Sequence, residues 1–207
     1  MPYKRSKYYS TKKVVVKPKV HWALSRNTAA LTLDMPAANA QSTGFAHETM
    51  YQYKTQTLCD ANADNIYQPG LTKKVKHIKV DITKIKHNIA DLDKHLCKLK
   101  AYIVYMPQGV NFETKDQANQ LMNLAQTLVH HPEWIMAEKN INPNGTDAST
   151  GNLTNTLSCK LSRNLKSGDR VILVIAGYFT GLSQYDYSAH KADKVNFNLE
   201  WSYASCL

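Results

Sequence analysis

The chain has 207 residues, 43% of them hydrophobic, and a formal net charge of +10. No apolar run approaches the roughly 18 residues that cross a bilayer, and the N-terminus lacks the apolar core of a secretory signal, so we expect no membrane insertion. The length suits one large all-β domain with a sizeable core.

Residues 1–19 form a strongly basic arm. They contain seven Lys and Arg, three Tyr and no acid, whereas the rest of the chain holds 26 − 7 = 19 basic residues against 16 acidic ones. Lys and Arg neutralise phosphates and Tyr rings stack on unpaired bases. A solubility tail would need no aromatic residues, so we predict that the arm binds single-stranded nucleic acid. The candidate binding residues are Lys4, Arg5, Lys7, Tyr8, Tyr9, Lys12, Lys13, Lys17 and Lys19.

The chain beyond the arm alternates between apolar and polar residues with a period of two. In 194–203, Val195, Phe197 and Leu199 share one side while Asn196 and Asn198 share the other, which indicates a strand with one buried face. Segment 170–179 is apolar on both faces and predicts a central strand. The predicted strands are 21–33, 47–58, 76–87, 99–105, 133–141, 155–162, 170–179 and 194–203.

Turns and one helix separate these strands. Turn signals occur at 68–70, 107–109, 142–145 and 166–169. Apolar residues at helical spacing predict a helix near 115–131, which Pro132 ends and whose apolar stripe should cover part of the sheets. Strands at this spacing, without regular helices between them, indicate an antiparallel sandwich or barrel.

The sequence contains no recognisable catalytic constellation. There is no Gly-rich phosphate loop, no His-x-His pair and no nucleophile elbow. His130 and His131, beside Glu133, are interpreted as helix-end residues that complement the helix dipole. The loop with Asp91 and Asp93, flanked by His87 and His95, is interpreted as polar surface, with a cation site as the alternative. We therefore predict no enzyme activity, no metal site and no cofactor.

The remaining chemical features are cysteines and a second basic patch. Cys59, Cys97, Cys159 and Cys206 lack C-x-x-C spacing and are interpreted as free, mostly buried thiols. A weaker positive patch lies at Lys73, Lys74, Lys76 and Lys79. It fits either an ordinary solvated strand face or a further part of the nucleic-acid surface, and the first three are candidate binding residues.

Four segments are similar to a known family. "TKKVKHIKVDITK" (72–84), "KAYIVYMPQG" (100–109), "HPEWIMAEKNI" (131–141) and "LSRNLKSGDRVILVIAG" (161–177), with the basic arm, resemble coat proteins of CRESS-DNA viruses, which have circular, Rep-encoding single-stranded DNA genomes. The resemblance implies a single eight-stranded jelly roll over 20–207. It also implies a T=1 icosahedral capsid of sixty self-assembled copies around single-stranded DNA.

The same resemblance implies a location in the virion, and in the host nucleus during assembly, with a host receptor and nuclear import factors as further partners. The pairs Lys4-Arg5 and Lys12-Lys13 fit a nuclear localisation signal. The alternative function is a non-viral nucleic-acid-binding β-barrel protein with a basic extension. A jelly-roll enzyme would need converging His and carboxylate ligands, which the sequence does not supply.

Overall fold

The computed structural model describes residues 21–34, 48–61, 72–85, 96–110, 128–142, 153–182 and 194–206. No helix among these residues is long and apolar enough to cross a membrane. They form nine β-strands: β1 Ala23–Asp34, β2 Glu48–Asp60, β3 Lys73–Lys84, β4 Leu96–Met106, β5 Ile135–Ile141, β6 Leu153–Cys159, β7 Arg163–Leu165, β8 Arg170–Leu182 and β9 Lys194–Cys206. Eight of them match predicted strands, and only the short β7 was not predicted.

The strands form two antiparallel sheets. The first sheet has the order β1-β9-β3-β6, with β7 also paired to β3, and the second has the order β2-β8-β4-β5. The chain passes repeatedly from one sheet to the other, and this interleaved four-on-four order is that of a jelly roll. The structure therefore confirms the prediction of one jelly-roll sandwich of about eight antiparallel strands.

Alternating side chains explain why β9 lies where it does. Val195, Phe197 and Leu199 are at most 1% exposed, and the residues between them are exposed. Each large apolar side chain fully buried in this way contributes roughly 1.5–3 kcal/mol to folding. The Trp201 indole Nε1–H also donates a 2.9 Å hydrogen bond to the Leu58 carbonyl, which ties β9 to β2 across the two sheets.

Strand β8 confirms the prediction of a central strand. It lies between β2 and β4, and its residues 171–176 are all buried. Val171, Leu173 and Ile175 face the core between the sheets, whereas Ile172 and Val174 belong to a second apolar cluster on the outer face of the second sheet. An apolar residue at every position of this run is what burial on both faces requires.

The end of the predicted helix packs on that second cluster. Residues 128–130 are helical, and Leu128 is 7% exposed among the cluster residues. Pro132 ends the helix as expected, because a 3-10 turn Pro132–Trp134 follows and delays the start of β5 to Ile135. Residues 115–127 of the predicted helix lie outside the described residues, as does the predicted arm 1–19.

The cysteines whose side chains the structure describes are thiols outside any disulfide. Cys59 and Cys159 are buried and Cys206 is partly exposed, and none of the three forms a disulfide. This confirms the interpretation for these three. The Cys97 side chain lies outside the described residues.

Candidate nucleic-acid interface

The predicted interface has two parts, and the structure describes the second. The arm residues Lys4, Arg5, Lys7, Tyr8, Tyr9, Lys12, Lys13, Lys17 and Lys19 lie outside the described residues, so their role stays a prediction. The first described segment starts at His21, two positions after the last arm residue in the sequence. The positions of His21 and Trp22 therefore mark the point at which the chain enters the sandwich.

The arm joins the first sheet at one of its ends. Ala23 of β1 pairs with Ser205 of β9, and Lys74 of β3 pairs with Cys206. The start of β1, the end of β9 and the start of β3 therefore lie together, at what we term the arm-proximal end. The predicted lysines of β3 are at this end.

Trp22 lies on the outer face of the first sheet. The Lys76 ammonium nitrogen is 3.6 Å from the centroid of the Trp22 ring, a cation–π contact. Lys76 pairs with Ala204, whose neighbours Tyr203 and Ser205 point inward. Since alternate residues of a strand point to opposite faces, Lys76 and the Trp22 ring are on the outer face.

A bulge in β3 lies between Lys76 and Lys79 and keeps both lysines on the outer face. The pairing of β3 with β9 shifts register between Lys76 and Lys79, and His77 between them has φ 54°. Lys73 lies on the inner face with Val75; it is 6% exposed, and its ammonium is 5.8 Å from the Tyr203 ring centroid. The structure therefore brings Lys74 and Lys76 together on the outer face but not Lys73.

Two further cations share the outer face. Arg26 of β1 and Lys79 of β3 both pair with Ser202 of β9, so one strand separates them. Arg26 was missed by the sequence analysis. The alternation of β1 predicts that Arg26 and Leu24 point to the same side of the strand. That this side lies beside the lysines of β3 follows only from the pairing of β1 and β3 with β9, which are far apart in sequence.

Two carboxylates mark the limit of the basic part of this face. Asp81 and Glu200 pair in the row beyond Lys79. The Lys79 ammonium lies 2.8 Å from the Asp81 carboxylate. The Thr156 hydroxyl donates a second hydrogen bond to the same carboxylate. Burial raises the pKa of Asp81, but the hydrogen bonds from Lys79 and Thr156, together with the positive charge of Lys79, hold the pKa below its ordinary value. Lys79 is thus partly neutralised, whereas Arg26, Lys74 and Lys76 have no carboxylate partner among the described residues.

The segment most distinctive of the resemblance, 162–169, forms a structural junction. The Asp169 carboxylate is buried and accepts hydrogen bonds from the Tyr105 hydroxyl (2.8 Å) and from the backbone N–H groups of Lys166 (2.9 Å) and Gln108 (3.1 Å). Burial, then the hydrogen bond to Asp169, raises the pKa of Tyr105. The junction therefore fixes the loop after β4 against the turn before β8.

The histidine group of the sequence analysis is a surface cluster. The His131 ring stacks on Trp134 with centroids 4.0 Å apart, and its Nδ1 lies 3.1 Å from a Glu133 carboxylate oxygen. The pKa of Glu133 is lowered, first by a backbone hydrogen bond and second by the hydrogen bond with His131. No three His, Cys, Asp or Glu residues in the described part of the chain form a metal-binding group. Asp91 and Asp93 lie outside the described residues.

The solved structures that this chain resembles include two virus structures. Neither a protein-family profile nor a curated protein matches the chain. A chain of the cryo-EM structure of Mud crab tombus-like virus aligns at 6% identity with a TM-score of 0.35, over 91% of both chains. A chain of the Desmodium yellow mottle tymovirus structure aligns at 11% identity and a TM-score of 0.29, over 100% of this chain and 93% of that one. Both are virus structures, but at these TM-scores the likenesses carry no argument, and the jelly-roll fold rests on the strand order itself.

Proposed function

We propose that this chain is the capsid protein of a CRESS-DNA virus. It assembles into a T=1 shell of sixty copies and packages circular single-stranded DNA through its basic N-terminal arm. The observation that carries the proposal is the combination of two features: a jelly roll with a filled apolar interior, and seven cations concentrated in the first 19 residues.

The interior of the sandwich favours a shell role. Jelly rolls occur in capsid proteins, lectins and cupins, and a cupin-type site needs polar ligands that converge between the sheets. Here the positions between the sheets hold closely packed apolar side chains. Leu33, Ile78, Leu99, Leu173 and Phe197 are all 0% exposed. Such an interior stabilises the fold, and it leaves function to the surface and the arm.

The positive charge of the arm supports the packaging role and sets how many DNA phosphates the arms can neutralise. Sixty arms of seven cations carry about 420 positive charges, which match about 420 phosphates. The 207 codons of this protein already require about 621 nucleotides. The arms alone therefore cannot neutralise a genome that also encodes a replication protein, and counterions or the body of the shell must supply the difference.

The cellular context of the proposal is the virion and, during assembly, the host nucleus. The pairs Lys4-Arg5 and Lys12-Lys13 would serve nuclear import. Identical copies related by closed symmetry repeat the same contacts, so weak contacts between subunits suffice to hold the shell.

Particle mass tests the proposal. Sixty subunits of 23.4 kDa give a protein shell of about 1.4 MDa, which light scattering behind size exclusion measures directly, and negative-stain images would show closed shells. A chain that stays at the mass of a monomer or small oligomer while it binds nucleic acid would instead support the non-viral binding protein. Particles that contain no DNA would support the shell role but contradict the packaging role.

A further inference from the structure

We propose that the outer face of the first sheet, at its arm-proximal end, is a second binding surface for the phosphates of single-stranded DNA. This inference rests on the proposed function, and it assigns an orientation to the subunit, with the first sheet toward the shell interior. We term this surface the basic face; its residues are Trp22, Arg26, Lys74, Lys76 and Lys79.

The first observation is the path of the chain. Trp22 directly precedes β1, and its ring lies against the Lys76 ammonium on the outer face of the first sheet, at 3.6 Å from nitrogen to ring centroid. The last arm residue, Lys19, precedes Trp22 by only three positions in the sequence. A strand of DNA held by the arm is therefore brought to the cations of the basic face.

The second observation is the charge of the face. Arg26 and Lys74 are exposed and Lys76 is partly exposed. In the described part of the chain no carboxylate lies within ion-pair distance of these three, and the pair Asp81 and Glu200 begins only beyond Lys79. Sixty copies of three unpaired cations add about 180 charges to the 420 of the arms, which narrows the shortfall in neutralisation.

The third observation is an aromatic group among these cations. Trp22 is partly exposed, and Lys76 holds its ring in a defined position. Tryptophan rings stack on unpaired bases, and cations beside them contact the adjoining phosphates. Trp22 with Lys74 and Lys76 supplies both kinds of contact in one place and favours single strands over duplex.

The outer face of the second sheet is apolar at its centre. Its side chains Val104, Ile172, Val174 and Ala176 are at most 3% exposed, and Leu128 packs among them. Beside this centre, Lys98 lies over the Tyr178 ring, and Lys100 is paired with Glu138 at 3.0 Å. The basic face therefore presents the larger group of cations without a carboxylate partner among the described residues.

The test measures the salt dependence of binding of the full chain to a fluorescent (dT)30 oligonucleotide. The variant Arg26→Gln with Lys74→Gln should reduce the slope of log K against log salt by about 1.4, since each phosphate contact on a single strand contributes about 0.7. The control Lys98→Gln with Lys166→Gln removes the same charge from exposed positions elsewhere and should leave the slope unchanged. Equal slopes in the two variants would overturn the inference.

A second readout uses Trp22 itself. Addition of (dT)30 should quench part of the tryptophan fluorescence of the full chain, and Trp22→Phe should lose that part while Trp134 and Trp201 remain. Quenching that persists unchanged in Trp22→Phe would contradict the proposed stacking.

A third variant separates this inference from the proposed function. Substitution of Lys4, Arg5 and Lys7 by Gln should also reduce the slope, by about 2. If only this arm variant changes the slope, the arm binds DNA and the basic face does not. If the unsubstituted chain binds no (dT)30 at low salt, the packaging role and the basic face both fail.

Discussion

At the scale of single residues, the Asp169 carboxylate is the buried polar group with the most consequences for the loops. It accepts three hydrogen bonds, from Tyr105, Lys166 and Gln108. In Asp169→Asn an amide nitrogen replaces one oxygen, so at least one buried donor loses its acceptor, which costs about 1–3 kcal/mol. Urea unfolding should show this loss. Asp81→Asn, at a more exposed carboxylate, should cost less than about 1 kcal/mol; equal costs would mean that Asp169 is not a junction.

The Tyr105 hydroxyl at the same junction predicts a pH dependence. Its pKa is raised above the ordinary value of 10.0 by burial and by Asp169. Above pH 10 the unfolded chain loses this proton before the folded chain does, so stability falls as pH rises through the folded pKa. Tyr105→Phe should lose about 1 kcal/mol at neutral pH and decline less steeply above pH 10. Parallel pH profiles of the two proteins in urea unfolding would contradict the raised pKa.

At the scale of elements, two turns that the sequence predicted provide a matched pair. Gly109 and Gly168 have φ of 81° and 86°, and each turn is closed by a backbone hydrogen bond, from Val110 to Pro107 and from Asp169 to Lys166. A Cβ at 109 would meet open space, whereas a Cβ at 168 would lie 2.5 Å from the Gln108 side chain.

Alanine at the two glycines should therefore have unequal effects. Gly109→Ala should cost about 1 kcal/mol, from the left-handed backbone alone. Gly168→Ala should cost more, because Gln108 must also move out of contact with the new methyl group. Chemical denaturation measures both, and a larger loss at Gly109 would contradict the close approach at Gly168.

The end of the helix supplies a second comparison between neighbours. Leu128 is 7% exposed in the apolar cluster on the second sheet, and Val129 beside it is 75% exposed. Leu128→Ala should cost about 2–4 kcal/mol of unfolding free energy, and Val129→Ala less than about 0.5 kcal/mol. Similar losses in urea unfolding would show that the helix does not cover this face.

Periodicity was sufficient to predict the strands but not the surfaces that they form. The alternation in β9 and the apolar run in β8 are local signals, and both strands appear where these signals predict them. Alternation within β3 points Lys73 inward and Lys74 and Lys76 outward, although the three were grouped because they are close in sequence. The bulge at His77 has no local signal, and it places Lys79 on the same face as Lys76. Arg26 joins the lysines only through pairing across β9, which is a contact between residues far apart in sequence.

At the scale of the whole molecule, the excess positive charge lies in one part of the chain and the packed core in another. The first 19 residues carry seven of its 26 basic residues and no acid, and the rest holds 19 bases against 16 acids. A body close to neutrality can pack against copies of itself without strong repulsion. Under the proposed function, the excess charge of the arm is what binds the genome.

This division predicts that assembly and packaging respond separately to mutation. If all seven cations of residues 1–19 bind phosphates, the slope of log K against log salt for binding of the arm to single strands should be about −5.

Substitution of all seven cations by Gln should leave the mass of the protein shell unchanged but remove most of the encapsidated DNA. The DNA content is measured as the ratio of absorbance at 260 nm to that at 280 nm in purified particles. The matched control replaces seven polar residues of the arm and the surface without change of charge, and it should package normally. Particles of the Gln variant with an unchanged DNA content would show that the body, not the arm, holds the genome.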